Sequence, residues 1–223
     1  MTAGAPYRLV VFDCDSTLTR IEGVDELARM CGLEMEIAAL TAAAMEGRVA
    51  LEEVYARRLE RLRPDRPAVE RLGNRYIEEL VPGARETLRT LRDAGVETHI
   101  ISGGFLPAVT LLAAELELRP DQVHAVALQF AADGRYVGFD HDSPLSRSGG
   151  KRVVCAGLMG RFGRCAAVGD GITDLEMQDA GADFIGFGGV VERAAVRQRA
   201  ARYVSAADLR ELLPLLAVKS KQE

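Results

Sequence analysis

The sequence is poor in the residues that build disulfide frameworks and zinc centres. Its 223 residues include four cysteines and three histidines. Cys14, Cys31, Cys155 and Cys165 form no C-x-x-C pair, and the histidines show no ligand spacing with them. Zinc is therefore disfavoured. Cysteines spaced this widely are typical of free thiols in a reducing compartment, so we expect a cytoplasmic protein without disulfides.

Long apolar runs and an excess of one charge are also missing. No apolar stretch reaches the roughly 18 residues of a transmembrane helix, and the first six residues lack the basic region and apolar core of a signal peptide. With 28 basic and 33 acidic residues the net charge is -5, and no basic patch is evident. We expect neither a membrane nor a nucleic acid as partner, and the sequence makes no prediction of the oligomeric state.

The most informative segment is an apolar run that ends in two carboxylates. Leu9-Val10-Val11-Phe12 predicts a strand buried on both faces, which is the habit of parallel sheets, and Asp13 and Asp15 follow it. Ligand sites in open α/β sheets lie at the carboxyl ends of the strands. Two aspartates this close repel each other unless a cation or a reaction uses them. A simple Asx turn is the alternative interpretation.

The rest of the chain divides into a helical segment and a series of strand–helix units. From Val24 to Leu80 apolar residues recur at three- and four-residue steps, which predicts a small helical bundle inserted after the first strand. The later units predict a doubly wound parallel α/β sheet that ends in two helices. The predicted later strands are 97–101, 123–129, 165–168 and 183–185, with a hairpin over 130–139. We expect a core domain of residues 1–17 and 81–223 and an inserted domain of residues 18–80.

Three further signals follow predicted strands or open helices. Ser102-Gly103-Gly104 offers a hydroxyl and backbone N–H groups at a predicted helix N-terminus, as a phosphate cradle requires, although a capping serine before a glycine turn is an alternative. Gly169-Asp170-Gly171-Ile172-Thr173-Asp174 supplies hard oxygen ligands suited to Mg²⁺, with a tight turn as the alternative. Lys151 opens a predicted helix after two glycines. No G-x-G-x-x-G follows the first strand, which disfavours a dinucleotide site.

Taken in this order, the four signals resemble the motifs of the haloacid dehalogenase superfamily of phosphohydrolases. Within that superfamily the chain is similar to the branch that hydrolyses phosphoserine, over nearly its whole length. The similar segments include 21–28, 44–45, 58, 102–105, 148–151 and 184–189. The helical insert resembles the cap domain of that branch, whereas Val126-Ala127-Leu128 stands where many of its members have Asn-Arg-Leu.

The resemblance implies a role for each motif residue. Asp13 would be the nucleophile, Asp15 the general acid and then the general base, and Lys151 a partner of the phosphate oxygens. Mg²⁺ would be held by Asp13, the backbone carbonyl of Asp15 and Asp170. Asp174 would orient Lys151 or a metal-bound water.

The insert is expected to choose the substrate, a small molecule, which the resemblance implies is phosphoserine. Glu22 would pair with its ammonium and Arg58 would hold its carboxylate. The other implied substrate-binding residues are Met45, Ser102, Gly103, Gly104, Lys151, Thr173 and Arg193. Two alternatives stay open at this point. One is a related phosphohydrolase or phosphotransferase acting on another small phosphate, and the other is a non-enzymatic binding domain on the same scaffold.

Overall fold

The architecture is a parallel sheet with helices around it. The computed structural model describes residues 7–45 and 51–216, and the side chains of residues 7–40 and 52–216. Six parallel strands form the sheet, and they are Leu9–Phe12 (β1), Glu97–Phe105 (β2), Val123–Val126 (β3), Cys165–Gly169 (β6), Asp183–Phe187 (β7) and Arg202–Val204 (β8). The predicted fold class is confirmed. None of the described helices is long and apolar enough to cross a membrane.

β1 lies inside the sheet because its residues are apolar on both faces. All four are fully buried. Across the sheet the strand order is β3-β2-β1-β6-β7-β8. On one side of β1 lie β2 and then β3, and on the other side lie β6, β7 and β8 in that order. The crevice beyond the carboxyl ends of β1 and β6 is the place where such sheets bind ligands.

The helices fall into an inserted group and a core group. The inserted helices are Gly23–Cys31 (α1), Glu34–Met45 (α2), Leu51–Leu62 (α3) and Arg66–Glu78 (α4). The core helices are Ala84–Asp93 (α5), Leu106–Glu115 (α6), Gly150–Phe162 (α7), Ile172–Leu175 (α8) and Ala194–Arg199 (α9). The prediction of a helical insert between the first two strands of the chain is confirmed.

The four inserted helices pack around an apolar core of their own. Leu27, Ile37, Leu59 and Leu72, one from each inserted helix, are at most 1% exposed. The chain enters and leaves the insert through two paired segments, with Thr19 bridged to Leu80 and the Val81 amide donating to the Leu18 carbonyl at 3.0 Å. These segments lie at the predicted boundaries of the inserted domain, although the division into two domains stays a prediction.

Three elements differ from the sequence-based expectation. Ser102-Gly103-Gly104 is no turn: it continues β2, which shifts register between Ile101 and Phe105. The strand expected over 123–129 ends at Val126, and 128–130 instead forms β4 (Leu128–Phe130) of a hairpin with β5 (Tyr136–Phe139). After α9 the chain forms β8, which pairs with β7 and was not expected, and the last expected helix is reduced to a short 3-10 helix, Leu209–Leu212, within the described residues. The differences at β2 and β8 follow from pairing with a strand that is distant in sequence, whereas β4 pairs with its near neighbour β5.

Two histidines share a hydrogen bond beside the sheet. His99 on β2 is 2% exposed, and its Nδ1 lies 3.0 Å from Nε2 of His124 on β3. The His99 ring also contacts Phe162, with ring centroids 5.3 Å apart. His99 is therefore a packed, hydrogen-bonded core residue. Burial, together with His124, lowers the pKa of His99 to about 4.

Because of this histidine pair, we expect the free energy of unfolding to fall in mild acid. Because the pKa of His99 is lower in the folded chain than in the unfolded one, the unfolded chain binds more protons below about pH 6.5. The contribution of His99 is therefore full at neutral pH and falls as the pH drops toward 4. Between pH 7 and pH 5, we expect the free energy of unfolding of wild type to fall by about 1–2 kcal/mol more than that of His99→Gln. Urea unfolding of both proteins at the two pH values measures this difference, and parallel losses would contradict it.

Candidate active site

Three carboxylates meet where β1 and β6 end. Asp13 follows β1, and its amide donates to the Val168 carbonyl on β6 at 2.9 Å. Asp170 follows β6, and Asp174 lies one turn further, on α8. Oxygen atoms of Asp13, Asp170 and Asp174 all lie within 4.8 Å of one another, and all three residues are buried. The sequence predicted that Asp13 and Asp170 would lie together and that Asp174 would orient Lys151 or a metal-bound water, and the structure brings Asp174 into the same carboxylate cluster.

Lys151 sits between two of these carboxylates. Its Nζ donates to Oδ1 of Asp13 at 2.5 Å and to Oδ1 of Asp174 at 2.6 Å. Burial alone would lower the pKa of Lys151, but Asp13 and Asp174 raise it well above its ordinary value. Lys151 is therefore a fixed positive charge. Its helix can pack this closely against the preceding loop because Gly150 has no side chain: a Cβ atom would lie 1.8 Å from the Pro144 carbonyl oxygen.

Burial and mutual repulsion make this cluster suited to a cation. Burial and Asp174 raise the pKa of Asp13 well above its ordinary value, against the opposing effect of Lys151. Burial and Asp174 raise the pKa of Asp170 to about 6, although Arg193 opposes this. Lys151 and Arg193 bring two positive charges to three carboxylates, which leaves an excess negative charge, and hard carboxylate oxygens are the ligands that Mg²⁺ prefers. The donor set therefore fits a hard divalent cation.

Asp15 has a different environment from Asp13. Its Oδ2 accepts a hydrogen bond from the Gly23 amide at 2.9 Å, and Oδ1 is buried with no hydrogen-bond partner among the described residues. Burial and the neighbouring Glu22 raise the pKa of Asp15 to about 7. A carboxyl group with this pKa can hold a proton near neutral pH and give it up again, as a general acid and base must.

Glu22 lies at the entrance of the insert and connects it to the core. It accepts hydrogen bonds from Ser16 Oγ at 2.7 Å and from Arg193 Nη2 at 3.2 Å. Arg193 also donates from Nε to Oδ2 of Asp170 at 2.7 Å. Ser16 has a φ of +52°, a left-handed conformation that is uncommon for serine. The contact of Arg193 with Asp170 was not predicted, since nothing in the sequence relates residues 23 positions apart.

Arg58 and Tyr55 bring α3 over this crevice. Arg58 is half-buried, and Asp25 and Glu22 both oppose the lowering of its pKa by burial. The charges of Glu22 and Arg58 therefore lie close enough to influence each other. One turn earlier, the Tyr55 hydroxyl donates to the Gly103 carbonyl at 3.0 Å, which the sequence analysis missed. The side chain of Met45 lies outside the described part of the chain.

The remaining predicted residues lie on β2 and on α8. Ser102 is 1% exposed, and its Oγ accepts from the Gly104 amide at 2.9 Å. Gly103 and Gly104 belong to β2 and α6 begins only at Leu106, so the cradle expected at a helix N-terminus is wrong in that detail. Thr173 lies on α8, half-buried, beside the Asp174 side chain that accepts from the Gly171 amide at 2.8 Å.

Comparisons with known proteins agree with this geometry. The family model of haloacid dehalogenase-like hydrolases matches residues 7–178. A phosphoserine phosphatase of Rattus norvegicus is 39% identical over 206 residues, covering 92% of this chain and 91% of that protein. A substrate-bound phosphoserine phosphatase structure superposes with a TM-score of 0.79 at 28% identity, covering 96% of this chain and 100% of the other. A haloacid dehalogenase family hydrolase of Salmonella enterica serovar Typhi superposes with a TM-score of 0.85 at 25% identity, covering 98% of this chain and 74% of the other.

Proposed function

The chain belongs to the haloacid dehalogenase-like hydrolases, and from this premise we propose that it hydrolyses O-phospho-L-serine to serine and inorganic phosphate, the last step of serine synthesis. The observation that carries the proposal is the contact of Lys151 with Asp13 and Asp174 at the carboxyl end of the sheet. In addition, Glu22 before α1 and Arg58 on α3 carry opposite charges near enough to influence each other. The first set can act on a phosphate group. The second set offers one charge of each sign for the amino acid part of the substrate.

In the first step Asp13 acts as the nucleophile. Its carboxylate oxygen attacks phosphorus, the bond between phosphorus and the seryl oxygen breaks, and an aspartyl-phosphate forms. Asp15 gives its proton to the departing seryl oxygen, so serine leaves as a neutral alcohol. Lys151, Ser102 and the Gly103 amide would hold the other phosphate oxygens as charge redistributes among them.

In the second step water hydrolyses the aspartyl-phosphate. Asp15, now a carboxylate, takes a proton from the water as the water oxygen attacks phosphorus. The bond from phosphorus to the Asp13 oxygen then breaks, which frees phosphate and restores both aspartates. A single residue can serve as acid and then base because its pKa is raised to about 7 by burial and Glu22.

We assign the cation site to Asp13, the backbone carbonyl of Asp15 and Asp170, and the cation to Mg²⁺. When bound, Mg²⁺ would offset the repulsion between the attacking carboxylate and the phosphate dianion. Asp174 holds Lys151 in place through its Oδ1 at 2.6 Å. Arg193 already contacts Asp170 and Glu22, so it would have to share both with the bound ligands.

The substrate would be recognised mainly by the insert. Glu22 would bind the ammonium and Arg58 the carboxylate, with Met45, Gly104, Thr173 and Arg193 completing the site. Since the insert lies over the crevice, it must open to admit phosphoserine and close to exclude water. A cytoplasmic location remains part of this proposal.

The carboxylate cluster predicts that phosphate release requires a divalent cation. Wild type should release phosphate from phosphoserine with Mg²⁺, lose that activity after exhaustive chelation, and regain it when Mg²⁺ is restored. Ca²⁺ should inhibit, since its larger and looser coordination sphere would misplace the nucleophile. A phosphate-release assay over a panel of small phosphomonoesters, with and without each ion, measures this.

The same panel separates the proposed function from its alternative. Phosphate should be released faster from phosphoserine than from phosphomonoesters that lack the ammonium or the carboxylate. Equal turnover across the panel would instead support a general small-molecule phosphohydrolase. Full activity after chelation would overturn the cation assignment.

A further inference from the structure

Two buried oxygen atoms in the site have no hydrogen-bond partner among the described residues. One is Oδ1 of Asp15, and the other is the hydroxyl oxygen of Tyr76 on α4. Tyr76 is completely buried. A buried hydroxyl without a partner costs about 1–3 kcal/mol in lost hydration, which phenylalanine would avoid. The Tyr76 hydroxyl therefore lowers the stability of the folded chain, and packing of the ring gives no reason for its presence.

The chain leaves space for this hydroxyl beside Asp15. A Cβ atom on Gly23 would lie 2.0 Å from the Tyr76 hydroxyl oxygen, and one on Gly104 would lie 3.4 Å from it. The Gly23 amide is also the donor to Oδ2 of Asp15 at 2.9 Å. Gly23 thus contacts both groups, and the hydroxyl approaches Asp15 from the side of the insert. Consistent with this proximity, Asp15 contributes, after burial, to raising the pKa of Tyr76.

A buried hydroxyl without a partner does not mark a functional residue by itself. Tyr203 on β8 has one too, and a Cβ atom on Gly188 would lie 2.1 Å from its oxygen. Tyr76 differs because a second partnerless oxygen belongs to its neighbour, and that neighbour is the residue proposed to move the proton. The two atoms can satisfy each other, since a hydroxyl donates and a carboxyl oxygen accepts.

We propose that Tyr76 is a positioning residue for Asp15, an inference that rests on the proposed phosphatase function. The Gly23 amide holds one oxygen of the Asp15 carboxyl group, and during turnover the Tyr76 hydroxyl donates to the other. Two such hydrogen bonds fix the plane of the group. Each carboxyl oxygen keeps a second lone pair, so the proton can still pass to the seryl oxygen and return from water.

The test is Tyr76→Phe with Tyr203→Phe as the matched control, since both changes remove a buried hydroxyl without a partner. Tyr76→Phe should lower kcat for phosphoserine about tenfold or more, as part of the acid–base contribution is lost. KM should stay within about twofold, because the substrate itself is not contacted. The midpoint of thermal unfolding should be unchanged or higher in both variants. Tyr203→Phe should keep the wild-type kcat.

Each other outcome overturns the inference. A wild-type kcat in Tyr76→Phe would mean that Asp15 is oriented without the hydroxyl. A raised KM with an unchanged kcat would mean a contact with bound substrate instead, and a lower unfolding midpoint would mean a structural hydroxyl. Failure of wild type to release phosphate from phosphoserine would overturn the proposed function itself, which keeps the two failures distinguishable.

Discussion

Asp13→Asn should abolish turnover of phosphoserine and formation of the phosphoenzyme. An amide is a very poor nucleophile toward phosphorus, so the first step loses the group that forms the new bond. The fold should survive, because asparagine has nearly the same shape and its carbonyl oxygen can still accept from Lys151, which donates to Asp13 at 2.5 Å. Steady-state phosphate release and acid trapping of the phosphoenzyme measure the two losses separately.

A matched control for this variant is Asp142→Asn, which makes the same chemical change at an exposed position. It should keep wild-type turnover and trapping. Asp15→Asn should behave differently from Asp13→Asn, slowing both formation and breakdown of the phosphoenzyme without removing the nucleophile. Recovery of a phosphorylated peptide containing position 13 from Asp13→Asn would show that another residue attacks phosphorus.

Local sequence patterns were sufficient to predict the centre of the fold and the motif residues around it. The unbroken apolar run of β1 can be satisfied only inside a sheet, and the carboxylates after it must then lie at a sheet edge. The same reasoning applies to Cys165–Gly169 and Asp170. The helical periodicity of the insert depends on neighbouring residues alone, so a helical bundle was predicted there from the sequence, without the bounds of α1 to α4.

Features that depend on distant residues were missed. Three residues of β8 carry no strand pattern of their own, and only pairing with β7 defines them. Two glycines after Ser102 are typical of a turn, yet pairing with β3 on the far side of a register shift keeps that segment extended. Arg193 reaches Asp170 across 23 positions. Tyr76 fits the apolar stripe of α4, so no sequence signal distinguishes its hydroxyl from an ordinary core ring.

Arg58→Ala should lower kcat/KM for phosphoserine far more than for phosphoethanolamine, which lacks the carboxylate. Loss of a charged partner from a half-buried site costs ~2–5 kcal/mol, which corresponds to roughly 30- to 5000-fold in kcat/KM. Arg58→Lys should recover only part of the loss, since a lysine lacks the planar fork that matches a carboxylate. Glu22→Gln should instead penalise both substrates, because both carry the ammonium. The measurement is kcat/KM for the two substrates in each variant.

Arg57→Ala is the matched control, because Arg57 neighbours Arg58 on α3 but is exposed and paired with Glu53. It should leave the preference for phosphoserine intact, since a surface ion pair of this kind contributes about 0.3–0.5 kcal/mol to the helix and does not face the crevice. If Arg58→Ala lowers kcat/KM equally for both substrates, Arg58 acts on the phosphate group or in closure of the insert. No loss would mean that the substrate carboxylate is bound by backbone amides or by Arg193, whose guanidinium already reaches Glu22 and Asp170. That last result would weaken the phosphoserine proposal in favour of the general phosphohydrolase, because α3 would then supply no charge that distinguishes an amino acid phosphate from a simple one.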